Sequence, residues 1–157
     1  MCLDIWRVLD KMPQSREKFD KFVDKLQEEI INKEIHHFNE HIVNLFHNPK
    51  NWGKPTNFTI SHSCKGIKKD TMEFYLTIQD DMIKSAKFFT DGCGATVATG
   101  SQTTLLIEGK SLEYAENLRT EDIDLALNGL PDDHKHSLEL AVNTLRNLIA
   151  KYKNKMI

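Results

Sequence analysis

The sequence predicts an α+β protein, in which helices pack on a small antiparallel three-stranded sheet and an extra helical segment precedes the domain. Apolar and polar residues alternate over residues 71–78, the period of a half-buried strand. A second β-like stretch, 82–90, follows after only Asp80 and Asp81, which indicates a hairpin. Apolar residues recur at helical spacing over 138–149. Together these patterns favour a sheet covered by helices.

The length, net charge and cysteine content of the chain limit the kinds of function that it can have. The chain has 157 residues, enough for a substantial core, and a net charge of -2, which gives no general attraction to nucleic acid or membrane lipid. Its three cysteines, at positions 2, 64 and 93, form no disulfide framework and suit a reducing compartment. The N-terminal residues lack the features of a signal peptide, and no apolar run is long enough to span a bilayer. We therefore expect a cytoplasmic protein.

Residues 1–35 are expected to form an N-terminal helical extension to a domain of residues 36–157. Pro13 separates a short amphipathic stretch from a long helix that Ser15 caps. His36, His37 and His41 are expected on a single helix. No acidic pattern of a known zinc helix accompanies them, so a solvated helix face is favoured over a metal site.

Three strands are expected next. Phe58 and Ile60 indicate the first strand, and a polar loop over 62–69, which includes Cys64, follows it. The second strand begins after Asp70, and the third, 82–90, leads to Cys93. Because the start of one strand lies beside the end of the next in an antiparallel hairpin, Asp70 and Cys93 are expected to be neighbours.

Cys93 stands between two glycines where a strand gives way to a helix. Gly92 and Gly94 are expected to provide backbone torsions that other residues resist, so that the turn displays the sulfur. If the helix starts directly after Cys93, its free N–H groups favour a thiolate over a thiol. The pattern therefore indicates a nucleophile or a metal ligand rather than an inert buried cysteine.

The remaining helices have clear boundaries. The helix after Cys93 is expected to end before Gly109. Two short helices follow, one from Ser111 and one capped by Thr120. The last helix begins near His136, and its core-facing stripe consists of Leu138, Ala141, Val142, Leu145, Leu148 and Ile149.

Residues 89–110, FTDGCGATVATGSQTTLLIEGK, resemble the central motif of the NifU/IscU-type iron-sulfur cluster assembly scaffolds. That motif combines an aromatic residue, a short turn, Gly-Cys-Gly, small residues, a glutamate and Gly-Lys. Three further motifs occur in the family's order, namely 47–53, 70–72, and 129–131 with His136. The resemblance covers about residues 36 to 152 and implies a SufE/NifU-like fold.

The chain departs from the family pattern at two cysteines. Lys68 and Ser137 stand where the family has its first and third cysteines, so Cys93, Asp70 and His136 remain from the cluster site. The family's chaperone-binding Pro-Pro-Val-Lys segment is Pro-Asp-Asp-His here, at residues 131–134. Cys64 lies four residues before Lys68, and four extended residues span about 13 Å, so a rearranged loop makes Cys64 a candidate fourth ligand.

The resemblance implies a scaffold or carrier in iron-sulfur cluster assembly, not an enzyme. Cys93 would accept sulfur or bind iron, and Asp70 would assist exchange. Thiolate, imidazole and carboxylate groups suit a transient iron-sulfur cluster or iron, with zinc as the alternative, at Cys93, Asp70, His136 and Cys64. The implied partners are a cysteine desulfurase and cluster-accepting proteins, and a homo-oligomer stays open.

Two other functions remain as alternatives. One is a degenerate NifU-like binding or regulatory module that holds a single zinc or iron ion or no metal. The other is a thiol enzyme with Cys93 as nucleophile and His136 as base.

Overall fold

The computed structural model describes residues 16–156, without the side chains of residues 31 and 34–36. The expectations for Pro13, Ser15 and the residues before them lie outside this range. The chain divides into two compact units between residues 37 and 38. Among the described residues, no helix combines the length and the apolar run needed to cross a membrane.

The first unit contains helix α1, Arg16–His37. The second unit begins with helix α2, Glu40–His47, which Asn39 caps by accepting the backbone N–H of Ile42 at 3.0 Å. This cap starts a new helix at Glu40, after two residues that are not helical. The expectation that the three histidines share one helix is therefore wrong, since His41 belongs to α2 and its Nε2 lies 2.7 Å from Gln102 Oε1.

The rest of the second unit alternates the sheet with further helices. Its elements are β1 (Ile60–Lys65), β2 (Thr71–Gln79), β3 (Met82–Thr90), α3 (Gly94–Ile107), α4 (Leu112–Glu116), α5 (Thr120–Ala126), a 3-10 turn (Asp132–His134) and α6 (His136–Lys155). The three strands are antiparallel in the order β1-β2-β3. The predicted α+β class is confirmed.

The observed sheet contains the expected hairpin, but its first strand is longer than predicted. Asp80 and Asp81 join β2 to β3 in a two-residue turn with positive φ angles of 54° and 59°. In contrast, β1 continues through Cys64, which pairs with Met72 on β2. The predicted polar loop of 62–69 is therefore wrong in its first half. An edge strand with polar residues lacks the alternation that would have revealed it.

The core lies between the sheet and the helices. Phe74 and Phe88 are fully buried on neighbouring strands, and the predicted stripe on α6 is buried as expected. Helix α3 packs on β3, and α6 packs on β1 and β2. The buried face of α3 is made mostly of small residues, and an added Cβ at Gly100 would lie 2.4 Å from the Phe88 ring. The absence of a side chain at Gly100 thus sets how closely α3 approaches the sheet.

The short helix α5 starts one residue earlier than expected. Its N-cap is Arg119 rather than Thr120. The Asp122 carboxylate accepts the backbone N–H of Arg119 at 3.0 Å, and this hydrogen bond lowers the pKa of Asp122 below its ordinary value. The cap is therefore supplied from inside the first turn of the helix, which residue preferences at the cap position alone do not reveal.

Gly100→Ala should lower the free energy of unfolding by up to about 2 kcal/mol. The added methyl group would overlap Phe88, and the overpacking cost of about 1–3 kcal/mol is offset in part by the roughly 1 kcal/mol gained in helix propensity. Urea unfolding of both proteins measures the difference. The same substitution in a Phe88→Leu background is the control, and its cost should be smaller there. Equal costs in both backgrounds would show that Phe88 does not limit this position.

Candidate metal and cluster site at the end of the sheet

A short turn at the end of β3 places Cys93 beside the start of β2. The Thr90 hydroxyl donates to the carbonyl of Thr71 at 2.6 Å and accepts the backbone N–H of Gly92 at 3.1 Å. Asp91 Oδ1 accepts the backbone N–H of Thr71 at 2.7 Å. These bonds tie the turn to β2, so Cys93, the exposed N-cap residue of α3, comes next to Asp70.

The two glycines around Cys93 act through space rather than through torsion. Neither Gly92 nor Gly94 has a positive φ angle, so the expectation that they provide unusual backbone torsions is wrong. A Cβ at residue 92 would lie 2.8 Å from the Cβ of Thr96, and one at residue 94 would lie 3.0 Å from the ring of Phe46. The missing side chains allow the turn to pack directly on its neighbours.

Asp70 carries a buried carboxylate that is only partly satisfied. Its side chain is 10% exposed, and Oδ2 accepts the Thr96 hydroxyl at 3.2 Å. Oδ1 is buried and has no hydrogen-bond partner among the described residues. An unpaired buried polar atom costs about 1–3 kcal/mol, and more when it is charged. A cation bound at this carboxylate would offset that cost.

Thr96 connects the carboxylate with the other groups of the site. Its hydroxyl lies 3.6 Å from Cys93 Sγ and 3.0 Å from the hydroxyl of Ser137, in addition to its bond to Asp70. Ser137 is fully buried at the start of α6. The residue at the family's third cysteine position therefore lies inside the same network, although as a hydroxyl that is already hydrogen-bonded.

Two histidines from the start of α6 and the turn before it reach the site. His136 has a side chain that is 12% exposed, and its Nε2 lies 4.0 Å from Asp70 Oδ2. His134, in the 3-10 turn, has its Nδ1 at 3.9 Å from Cys93 Sγ. Sequence analysis overlooked His134, because residues 131–134 were compared only with a chaperone-binding segment. Its spacing of two residues from His136 was the signal that could have revealed it.

These side chains surround an open pocket of about 460 Å³. Three of the four predicted ligands, Cys93, Asp70 and His136, line this pocket together with His134. The lining also includes Lys68, the residue at the family's first cysteine position. Thiolate, imidazole and carboxylate groups in one pocket are the donors that zinc and ferrous iron accept.

Cys64, the fourth predicted ligand, does not join the other three in this structure. It lies half-buried in β1, where its Sγ accepts the side-chain amide of Asn147 at 3.4 Å. Asn147 follows His136 by 11 residues on α6, which corresponds to about 16 Å along the helix axis. That Cys64 serves as a ligand stays a prediction, and it requires β1 and the following loop to rearrange.

Known proteins resemble this chain in sequence and in fold. The family model described as NifU-like N terminal domain matches residues 37–157. The iron-sulfur cluster assembly scaffold protein IscU 1 of Archaeoglobus fulgidus is 33% identical over 119 residues, which cover 73% of this chain and 76% of the relative. The scaffold protein IscU of Escherichia coli K12 is 31% identical over 123 residues, covering 75% and 95% of the two chains.

A solved structure shows the same fold. It is the crystal structure of a putative iron-sulfur cluster assembly scaffold protein for the SUF system from Fervidobacterium islandicum AW-1. The match has a TM-score of 0.57 at 20% identity and covers 73% of this chain and 98% of the other. The resemblance seen in the four sequence motifs is thus confirmed by independent comparisons, and the chain belongs to the family of the NifU-like N terminal domain.

Proposed function

We propose that this protein is an iron-sulfur cluster assembly scaffold or carrier, rather than an enzyme, and that iron and sulfur bind in the pocket of Cys93, Asp70 and His136. Its family and its relatives, which are named as scaffolds, support this role. The observation that carries the proposal is the buried Asp70 carboxylate beside a displayed thiol and an imidazole, with one oxygen that has no hydrogen-bond partner among the described residues. Such a carboxylate is poised for a cation.

Cys93 receives the sulfur. Its side chain is exposed at the N-terminus of α3, where a partner protein can reach it. The partner is a cysteine desulfurase that carries a persulfide. The Cys93 thiolate attacks the terminal sulfur, a new S–S bond forms at Cys93, and the donor cysteine leaves as a thiolate, so no net oxidation occurs.

Asp70 and His136 hold the iron and allow it to leave. A carboxylate oxygen is a harder donor than a thiolate and binds ferrous iron less tightly, which suits a cargo that must pass on to a cluster-accepting protein. Thr96 positions the carboxylate by donating to Oδ2, while Oδ1 has no hydrogen-bond partner among the described residues. The free thiols of Cys93 and Cys64 suit a reducing compartment such as the cytoplasm.

A second function is favoured by one observation. Among the described residues that line the pocket, Cys93 is the only thiol, whereas clusters are usually held by several cysteines. A binding or regulatory module that holds one zinc or iron ion would need no further thiolate. The two functions differ in whether sulfide is bound together with the metal.

Protein purified without oxygen should contain iron and acid-labile sulfide, and Cys93→Ala should lose both. The substitution removes the only pocket thiol in the described part of the chain, and with it the sulfur acceptor. Metal analysis and sulfide determination on the two proteins measure the loss.

Cys64→Ala is the matched control, because Cys64 is the other free thiol of the described chain and lies outside the pocket. It should keep wild-type iron and sulfide. A loss in Cys64→Ala would instead show that Cys64 reaches the site. Zinc alone, or no metal, in the wild-type protein would argue for the single-ion module or for no metal function.

The double variant Lys68→Cys, Ser137→Cys should hold more sulfide per chain than the wild type after anaerobic reconstitution with iron and sulfide. It replaces an ammonium and a hydroxyl beside the pocket with two soft anionic donors, which clusters prefer. Sulfide content and visible absorbance measure the gain. Lys65→Cys with Ser137→Cys is the control, because Lys65 is exposed on β1 away from the pocket lining. Equal sulfide in the two double variants would contradict the assigned geometry.

A further inference from the structure

We propose that His134 is a metal ligand, so that this pocket is a four-donor site for a single divalent iron or zinc ion, with one thiolate, two imidazoles and one carboxylate. The donors are Cys93, His134, His136 and Asp70. The inference rests on the proposed function and specifies the form in which metal is held before or without sulfide. Nothing in the sequence motifs marks His134 as a ligand.

Two of the donor pairs lie at distances close to those around a tetrahedral ion. Metal–sulfur bonds of about 2.3 Å and metal–nitrogen or metal–oxygen bonds of about 2.0 Å place S and N about 3.6 Å apart, and N and O about 3.3 Å apart. Cys93 Sγ lies 3.9 Å from His134 Nδ1, and His136 Nε2 lies 4.0 Å from Asp70 Oδ2. Each of these two pairs would need to close by less than about 1 Å. No three of the four donor atoms, all on described residues, lie within 4.8 Å of one another, so side-chain rotation must also bring the two pairs together around the ion.

The other ring nitrogen of His134, Nε2, lies beside a carboxylate, as is usual for a metal-binding histidine. Nδ1 faces Cys93, while Nε2 lies 3.6 Å from the Asp133 carboxylate. A ligating imidazole commonly directs its other nitrogen to a carboxylate, which fixes the ring and raises its basicity. The ring also packs against Phe38, with ring centroids 5.0 Å apart. The contacts with Asp133 and Phe38 therefore hold the His134 ring with Nδ1 directed toward the pocket.

The buried carboxylate of Asp70 is an independent sign of a cation. Oδ1 is without a hydrogen-bond partner in the described part of the chain, on a side chain that is nine-tenths buried. Lys68, also a described residue, lines the same pocket but is exposed and forms no ion pair with Asp70. A divalent ion between the four donors would neutralise this carboxylate and the Cys93 thiolate together.

His134 also explains how the site works without the two missing thiolates. The Ser137 hydroxyl is engaged with Thr96, and an ammonium at Lys68 has no lone pair for a metal. The 3-10 turn, in which the backbone N–H of His134 donates to the carbonyl of Pro131 at 2.9 Å, brings a nitrogen donor to Cys93 from three residues before Ser137. The resulting set has one soft donor, which suits a single borderline ion better than a cluster.

Titration of metal-free protein with cobalt(II), a spectroscopic probe for zinc and ferrous sites, tests the inference. The wild type should show a thiolate-to-cobalt charge-transfer band and the intense d–d bands of a tetrahedral ion. His134→Ala should keep the charge-transfer band from Cys93 but bind at least about 100-fold more weakly, the upper end of the cost of losing even an indirect metal partner. Its d–d bands should weaken as water enters the coordination sphere.

Two further variants separate a ligand from a structural role. His134→Cys should restore tight binding and add a second thiolate contribution to the charge-transfer band. His62→Ala removes a histidine on β1, outside the pocket lining, and should bind cobalt as the wild type does. Binding by His134→Ala within about threefold of the wild type, with an unchanged spectrum, would overturn the inference, as would a wild type that binds no cobalt.

The cobalt titration and the iron and sulfide analysis can fail independently of each other. A wild type that gains no iron and sulfide but binds cobalt through His134 would retain the inference and refute the scaffold role. Iron and sulfide that depend on Cys93, with cobalt binding that does not depend on His134, would refute the inference alone.

Discussion

The register of the β2–β3 hairpin is the constraint on which the site depends. The two-residue turn at Asp80 and Asp81 pairs Gln79 with Met82. A one-residue register shift between Thr77 and Ile78 then pairs Met72 with Thr90, so the residue before β2 and the residues after β3 meet at one end of the sheet. A slip of one residue would turn every side chain of β3 to the other face and separate Asp70 from Cys93. The buried apolar face of the hairpin, with Phe74 and Phe88, prevents that slip.

The electrostatics of the site follow from this placement. The hairpin brings a carboxylate into an environment where it is nine-tenths buried, and among the described residues its side-chain oxygens accept a hydrogen bond only from Thr96. Thr96 in turn contacts Cys93 and Ser137, so one threonine couples the end of the sheet to the starts of α3 and α6. Gly92 makes this possible, because a side chain there would displace Thr96. The site is thus built by packing and carries an unsatisfied negative group as a result.

Much of the fold could be predicted because local patterns are strong where burial is one-sided. The alternation in β2, the Asp80-Asp81 turn and the apolar stripe of α6 all agree with the structure. The extent of β1 could not be predicted, because a polar edge strand obtains its hydrogen bonds from β2 rather than from its own pattern. The start of α2 depends on a side-chain cap at Asn39, and the start of α5 depends on the carboxylate of Asp122 inside its first turn. Neither start could be predicted from residue preferences alone.

The sequence by itself determined the family, the α+β class and the meeting of Asp70 with Cys93, since motif order and hairpin connectivity are properties of the chain. Only the tertiary structure decided which other donors join them. His134 comes to Cys93, and Cys64 stays on β1 beside Asn147. The reason is physical. Convergence of residues far apart in sequence depends on how α6 and its preceding turn pack on the sheet, and those packing distances are not encoded in any local pattern.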